Sequence, residues 1–259
     1  MKSTKTIKVL SIGNSFSQDA QRFVHEIAKE DGIEIILGNL FIGGASLEMH
    51  WNNIIDDSDN YEYYRTGKRK STSSIRQALE SERWDFVTLQ QASHHSGKLD
   101  TYFPYMKDIS KYVKRICPDA AQLIHQTWAY EIDSVHDGFR SYERDQAVMF
   151  DALYRAYSKA AAKLKLRTIP CGTAVQLARN NPKFDYKNGG DSLCRDGYHA
   201  HFTLGRYLLS AVWYEILTGN SILENDYIPF DGDFEYHISD EELEILKNCA
   251  HKAVMLEAE

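Results

Sequence analysis

Two short stretches of the chain carry residue types suited to acyl chemistry. Gly13-Asn14-Ser15-Phe16-Ser17 follows an apolar run, Ile7–Ile12, and Asp196-Gly197-Tyr198-His199 stands near the other end. A serine hydroxyl is a feeble nucleophile at neutral pH and attacks a carbonyl only when a neighbouring base takes its proton. An imidazole supplies that base, and a carboxylate fixes its tautomer and stabilises the imidazolium. Ser15, His199 and Asp196 are therefore the parts of a Ser-His-Asp triad. Each stretch alone has a plainer reading, because asparagine, serine and aspartate are common turn and helix-cap residues. Together, at opposite ends of one chain, they point to serine-dependent hydrolysis.

The elements that must position these groups follow from the hydrophobic pattern. Strand-like runs lie at Ile7–Ile12, Ile33–Ile42, Asp85–Leu89, Ala121–Thr127 and Arg167–Ile169. Helix-like segments between and after them cover Asp19–Asp31, Ser74–Glu82, Tyr102–Ile116, Gln146–Leu166, Gly172–Arg179, Phe202–Leu217 and Asp240–Leu256. In the first of these, Phe23, Val24, Ile27 and Ala28 recur at helical spacing. Repeated β-α-β alternation predicts an α/β fold, with a central parallel sheet of about five strands and helices on both faces. Such sheets place ligands at the carboxyl ends of their strands, which is where Ser15 falls. Two segments break the alternation. The polar and aromatic stretch at about 50–73 reads as a long insertion, and Asn180–Tyr198 as a Gly/Asn-rich loop leading into the late motif. With no internal repeat or linker, a single domain over residues 1–259 is expected.

Composition narrows the partners. A chain of 259 residues, 43% of them hydrophobic, can bury a large core. A net charge of −7 argues against general attraction to nucleic acid or to an anionic membrane. The one basic cluster, Lys68-Arg69-Lys70, reads as a solvated loop. Cys117, Cys171, Cys194 and Cys249 form no CxxC pair and read as reduced thiols. With no secretory leader visible and no apolar run long enough to span a bilayer, a cytoplasmic location is expected. Oligomeric state is not legible.

The two motifs resemble blocks of the SGNH (GDSL-like) hydrolase superfamily, in a branch whose first block reads Gly-Asn-Ser-Phe-Ser, and the resemblance runs from Ile7 to about Leu217. It implies a flavodoxin-like three-layer α/β/α sandwich. It also implies Ser15 as nucleophile, His199 as general base and Asp196 as orienting carboxylate. Gly44, in Gly43-Gly44-Ala45-Ser46, matches the glycine whose N–H enters the oxyanion hole beside that of Ser15. One block departs from the pattern. Where the superfamily has an asparagine after the third strand, this chain has Leu89-Gln90-Gln91-Ala92-Ser93. A glutamine amide is the same donor on a longer stem, so Gln90 is expected to complete the oxyanion hole, with Gln91 as the alternative.

Asn14, Gln91, His94, His95 and Trp128 are the candidate substrate contacts. Trp128 stands with His125 and Gln126 at the end of the fourth strand, and either lines a pocket or packs. His94, His95, Asp196, His199 and His201 offer a competing zinc reading. Adjacent histidines do not easily face one ion from an extended strand, and no HExxH helix is present. No metal or other cofactor is expected. Trp51, Tyr61, Tyr63 and Tyr64, set among Asn and Asp, suit a sugar, so an O-acetylated carbohydrate leads among small-molecule ester substrates. An acyltransferase with the same triad and a non-catalytic carbohydrate-binding protein are the alternatives.

Overall fold

A computed structural model describes residues 6–230, 232 and 236–258. Its strands are β1 (Thr6–Gly13), β2 (Glu34–Phe41), β3 (Tyr61–Arg65), β4 (Lys68–Ser73), β5 (Phe86–Leu89), β6 (Ala121–His125) and β7 (Arg167–Ile169). They form one sheet in the order β4-β3-β2-β1-β5-β6-β7. The five strands from β2 to β7 in that order pair parallel. Without β3 and β4 the order is that of a flavodoxin-like sheet, with its switch point between β1 and β5. Val9, Leu10 and Ile12 of β1 are buried because helices cover both faces, so the strand is a continuous apolar run.

On one face lie α1 (Ser15–Ala20), α2 (Val24–Glu30), α7 (Cys171–Arg179), α8 (Leu204–Thr218) and α9 (Asp240–Ala258). The other face carries α3 (Leu47–Ile55), α4 (Ile75–Glu80), α5 (Tyr105–Ile116) and α6 (Gln146–Leu164). Buried on almost every side, α8 packs against α1, α2, α7 and α9. No helix of the described residues is long and apolar enough to cross a membrane.

Four expectations are corrected. The helix expected over Asp19–Asp31 is two helices, because the Phe23 N–H donates to Ser210 Oγ of α8 (3.0 Å) instead of extending α1. The insertion at 50–73 is the end of α3 followed by an antiparallel hairpin, β3–β4, which adds two strands to the sheet along β2. Lys68-Arg69-Lys70 consequently sits on the exposed edge strand, not in a loop. The aromatic residues of this segment are packing groups. Tyr61 is fully buried with its hydroxyl bonded to His50 and Asn53, and Trp51 and Tyr63 pack on the core. Tyr64 meets Phe41 edge-on.

Two histidines are sealed inside this frame. His50 of α3 and His125 of β6 are 1% and 0% exposed, and burial lowers both imidazoles to about 3. The unfolded chain takes up these protons below about pH 6.5, whereas the folded chain does not. Folded-state values lie below unfolded ones, so the stability involved is complete above that pH and is lost as pH falls toward 3. The slope reaches about 1.4 kcal/mol per pH unit for each group. Urea titrations at pH 7, 5 and 4 should therefore show falling unfolding free energy, and His50→Asn should make the decline shallower. An undiminished decline in the variant would take His50 out of the balance.

Candidate active site

The first motif is a strand-to-helix junction. Asn14 caps α1, its Oδ1 accepting the Phe16 N–H at 3.0 Å, and Ser15 is the first helical residue. Ser15 thus stands at the carboxyl end of β1, beside the switch point. Gly13 is needed for space more than for turning: a Cβ there would lie 2.3 Å from Ser17 Oγ. Ser17 Oγ in turn is 2.8 Å from Asn14 O and 2.9 Å from Asn39 Oδ1, which ties the junction to β2.

The second motif is a tight turn folded on its own carboxylate. Asp196 Oδ1 accepts the backbone N–H groups of His199 (2.7 Å) and Tyr198 (3.2 Å). Its Oδ2 lies 2.7 Å from His199 Nδ1. Gly197 has φ +85°, and a Cβ would come 2.9 Å from Ser134 Cα, so both conformation and space require glycine. Burial of Asp196 opposes ionisation, but the His199 ring and the two backbone N–H groups outweigh it and hold the carboxyl below its usual range. An ionised carboxylate only accepts, so the proton sits on His199 Nδ1 and leaves Nε2 free to accept. That nitrogen is 2.8 Å from Ser15 Oγ. The structure thus brings Ser15 together with two side chains that lie more than 180 positions further along the sequence.

A second hydrogen-bonded chain runs behind Ser15. His125 Nδ1 lies 2.8 Å from Gln90 Oε1, Gln90 Nε2 donates to Asn14 Oδ1 at 2.7 Å, and Asn14 Nδ2 donates to Ala45 O at 3.1 Å. Because Asn14 Oδ1 already accepts a backbone N–H, Gln90 must present its nitrogen there and its oxygen to His125. His125 Nδ1 is therefore the protonated nitrogen, and Nε2 faces an apolar setting beside Trp213 with no partner. Through Asn14 this chain links the Ser15 turn to the loop of Gly44, which has φ +66° and is exposed. Gln90 retains a second amide hydrogen. Gln91 points elsewhere: its Oε1 accepts from Leu47 and Ala92, and its Nε2 donates to Thr101.

Of the other expected contacts, Asn14, Gln91 and Trp128 are as buried as Gln90, at 1% exposure or less, but unlike Gln90 their polar groups are committed to internal hydrogen bonds, so they belong to the frame. Trp128 stacks on Phe16 at 4.2 Å and donates to Tyr198 O at 2.8 Å, so it bridges the residues that follow Ser15 and precede His199. His125 and Gln126 are buried too. His94 and His95 are partly exposed, with ring centroids 4.2 Å apart, and burial lowers His94 to about 4. They belong to a row of rings that continues through His136 and Tyr198 to His199. His201 is spent on α8, its Nδ1 accepting from Thr203 and Leu204. Among the described residues no group of three or more His, Cys, Asp or Glu is arranged to hold a metal ion.

Sequence reasoning missed His136 and Asp19. His136 lies in a stretch without periodic signal. Asp19 offered one clue, a charge one helical turn after Ser15.

The family model for the domain of unknown function DUF4886 matches residues 8–253. A crystal structure of a DUF4886 family protein from Bacteroides uniformis is 37% identical, with a TM-score of 0.88, covering 97% of this chain and 95% of that one. A candidate SGNH hydrolase from Slackia heliotrinireducens is 20% identical (TM-score 0.53), covering 82% of this chain and 98% of its own. An acetylxylan esterase from Geobacillus stearothermophilus is 12% identical (TM-score 0.56), covering 84% and 97% respectively. No curated protein sequence matches. The fold is thus the one found in SGNH hydrolases, and by family match and near-complete alignment this chain belongs to the DUF4886 family.

Proposed function

We propose that the chain is a serine hydrolase of small esters, with Ser15 as nucleophile, His199 as base and Asp196 as its orienting carboxylate. The observation that carries this reading is the unbroken contact from Ser15 Oγ through the imidazole to Asp196, at 2.8 and 2.7 Å. In the first step His199 Nε2 takes the hydroxyl proton while Oγ bonds to the ester carbonyl carbon, and the carbonyl pair moves onto oxygen. The backbone N–H groups of Ser15 and Gly44, with the second amide hydrogen of Gln90, are the donors for that oxyanion. Collapse expels the alcohol, which receives the proton from His199. Water then repeats the sequence on the acyl-enzyme, releasing the acid and restoring Ser15.

For substrate, a short acyl group on a sugar is the reading we favour. Its support is the partly exposed row of rings at His94, His136 and Tyr198, which offers faces for stacking, and the fold shared with an acetylxylan esterase. The hairpin aromatics contribute nothing to it, being used in packing. A panel of p-nitrophenyl acetate, butyrate and decanoate with acetylated xylooligosaccharides, run beside fluorophosphonate labelling, tests both levels. The expected result is one label per chain, on Ser15, with acetyl esters cleaved fastest and no effect of chelator. Absence of both label and hydrolysis would overturn the hydrolase reading, and preference for decanoate would overturn the acyl assignment. Products formed with an added sugar acceptor separate hydrolysis from transfer.

A further inference from the structure

The loop that carries Asp196 and His199 has little ladder of its own, only the isolated bridge between Cys194 and Ala200. Its tip is tied by the Trp128 indole to Tyr198 O (2.8 Å) and by the Glu131 N–H to Gly197 O (2.7 Å), but its two ends need a tie of their own to α1. Asp19 lies four residues after Ser15, hence on the same face of α1. Its side chain is almost wholly buried, at 1% exposure for the residue. Oδ1 accepts from Arg206 Nε (2.8 Å) and Arg195 Nη1 (3.0 Å), and Oδ2 from the Ala200 N–H (3.1 Å) and Arg195 Nη1 (3.0 Å). Arg195 immediately precedes Asp196, and Ala200 immediately follows His199. The Phe202 ring packs against both guanidinium groups, at 4.7 and 4.8 Å. A buried carboxylate is costly unless paired and hydrogen-bonded, and here every recorded bond of the carboxylate goes to the segment 195–206.

We propose that Asp19 is a positioning residue that clamps both ends of the Asp196–His199 loop onto the helix headed by Ser15, and so sets the distance between nucleophile and base. The proposal rests on the triad reading above. A displacement of the imidazole by about 1 Å is enough to cost on the order of 10²-fold in turnover. Substrate binding does not pass through Asp19, so the loss belongs in kcat and not in KM.

The test compares Asp19→Asn with Arg206→Gln. The first removes the charge that holds both ends of the loop. The second removes an arm of the same cluster that does not adjoin the triad residues. For Asp19→Asn the expected result is a kcat lower by roughly 10- to 100-fold at little-changed KM on p-nitrophenyl acetate. Arg206→Gln should stay within about 3-fold even where its thermal stability falls by as much. The proton NMR signal of the hydrogen bond between His199 Nδ1 and Asp196, expected far downfield, should shift or broaden in Asp19→Asn and not in Arg206→Gln. Should Asp19→Asn fail to fold, Arg195→Gln removes one end of the clamp and should move the same signal and kcat. If the parent chain neither labels nor hydrolyses, the triad reading fails, and the NMR signal alone decides the clamp. Equal kcat losses in both variants, or an unmoved signal in a folded Asp19→Asn or Arg195→Gln, would overturn the proposal.

Discussion

Ser15→Ala and His199→Ala are each expected to lower kcat by about 10⁴–10⁶-fold on a small ester, with the double variant hardly slower than either single one. The reason is geometric. A hydroxyl 2.8 Å from an imidazole nitrogen is useful only while that nitrogen is free to take its proton, so losing one partner makes the other idle. Asp196→Asn should cost about 10⁴-fold, because an amide favours the wrong imidazole tautomer while preserving shape. Steady-state kinetics on all four variants, with circular dichroism to establish folding, checks the set. Effects that multiply in the double variant would contradict a shared mechanism.

Gln90→Ala is expected to lower kcat by roughly 10²–10³-fold with little change in KM, the loss associated with one oxyanion donor. It also removes the group that holds Asn14 Oδ1 and leaves the buried His125 Nδ1–H without an acceptor. A buried donor stranded in this way costs about 1–3 kcal/mol, so denaturant midpoints should fall as well. Gln91→Ala is the control. It strands the Leu47 and Ala92 N–H groups and should lower stability by a comparable amount, yet leave turnover close to normal. If both variants lose stability and neither loses turnover, Gln90 is framework only, and the oxyanion must be held by backbone N–H groups.

The parallel strands were legible because they are covered on both faces. Burial on two sides leaves an uninterrupted apolar run, as in β1, and such runs separated by helical periodicity admit few arrangements. The hydrogen-bonded contact of Ser15, His199 and Asp196, which we propose as a triad, was legible for a related reason: its residues sit in short motifs whose local geometry is nearly self-contained, as the Asp196 turn shows. The hairpin was not legible, since β4 is solvent-exposed until Ser73 and carries no hydrophobic alternation. Its turn at Thr66 and Gly67, both at positive φ, has a suitable glycine but lacks the Asn-Gly or Asp-Gly pair that marks such turns. The break between α1 and α2 depends on Ser210, and the role of Asp19 on Arg195, Ala200 and Arg206. Contacts of that sequence separation leave no local trace. Gln90 and Gln91 pose the sharpest case. Neighbours leaving a strand face opposite ways, and only the packed structure shows which one meets Asn14.

The two outer strands of the sheet have a consequence for how the protein behaves at high concentration. An open sheet edge is a template on which a second molecule can add a strand, the first step toward insoluble aggregates. At one margin β4 presents Lys68, Arg69 and Lys70, whose cationic groups would have to give up water for any newcomer to pair. At the other, β7 is three residues long, and the Thr168 N–H is already taken by Glu257 Oε1 of α9 at 3.0 Å. One margin repels by hydration and the other is occupied, so self-association through strand addition is opposed at both ends of the sheet.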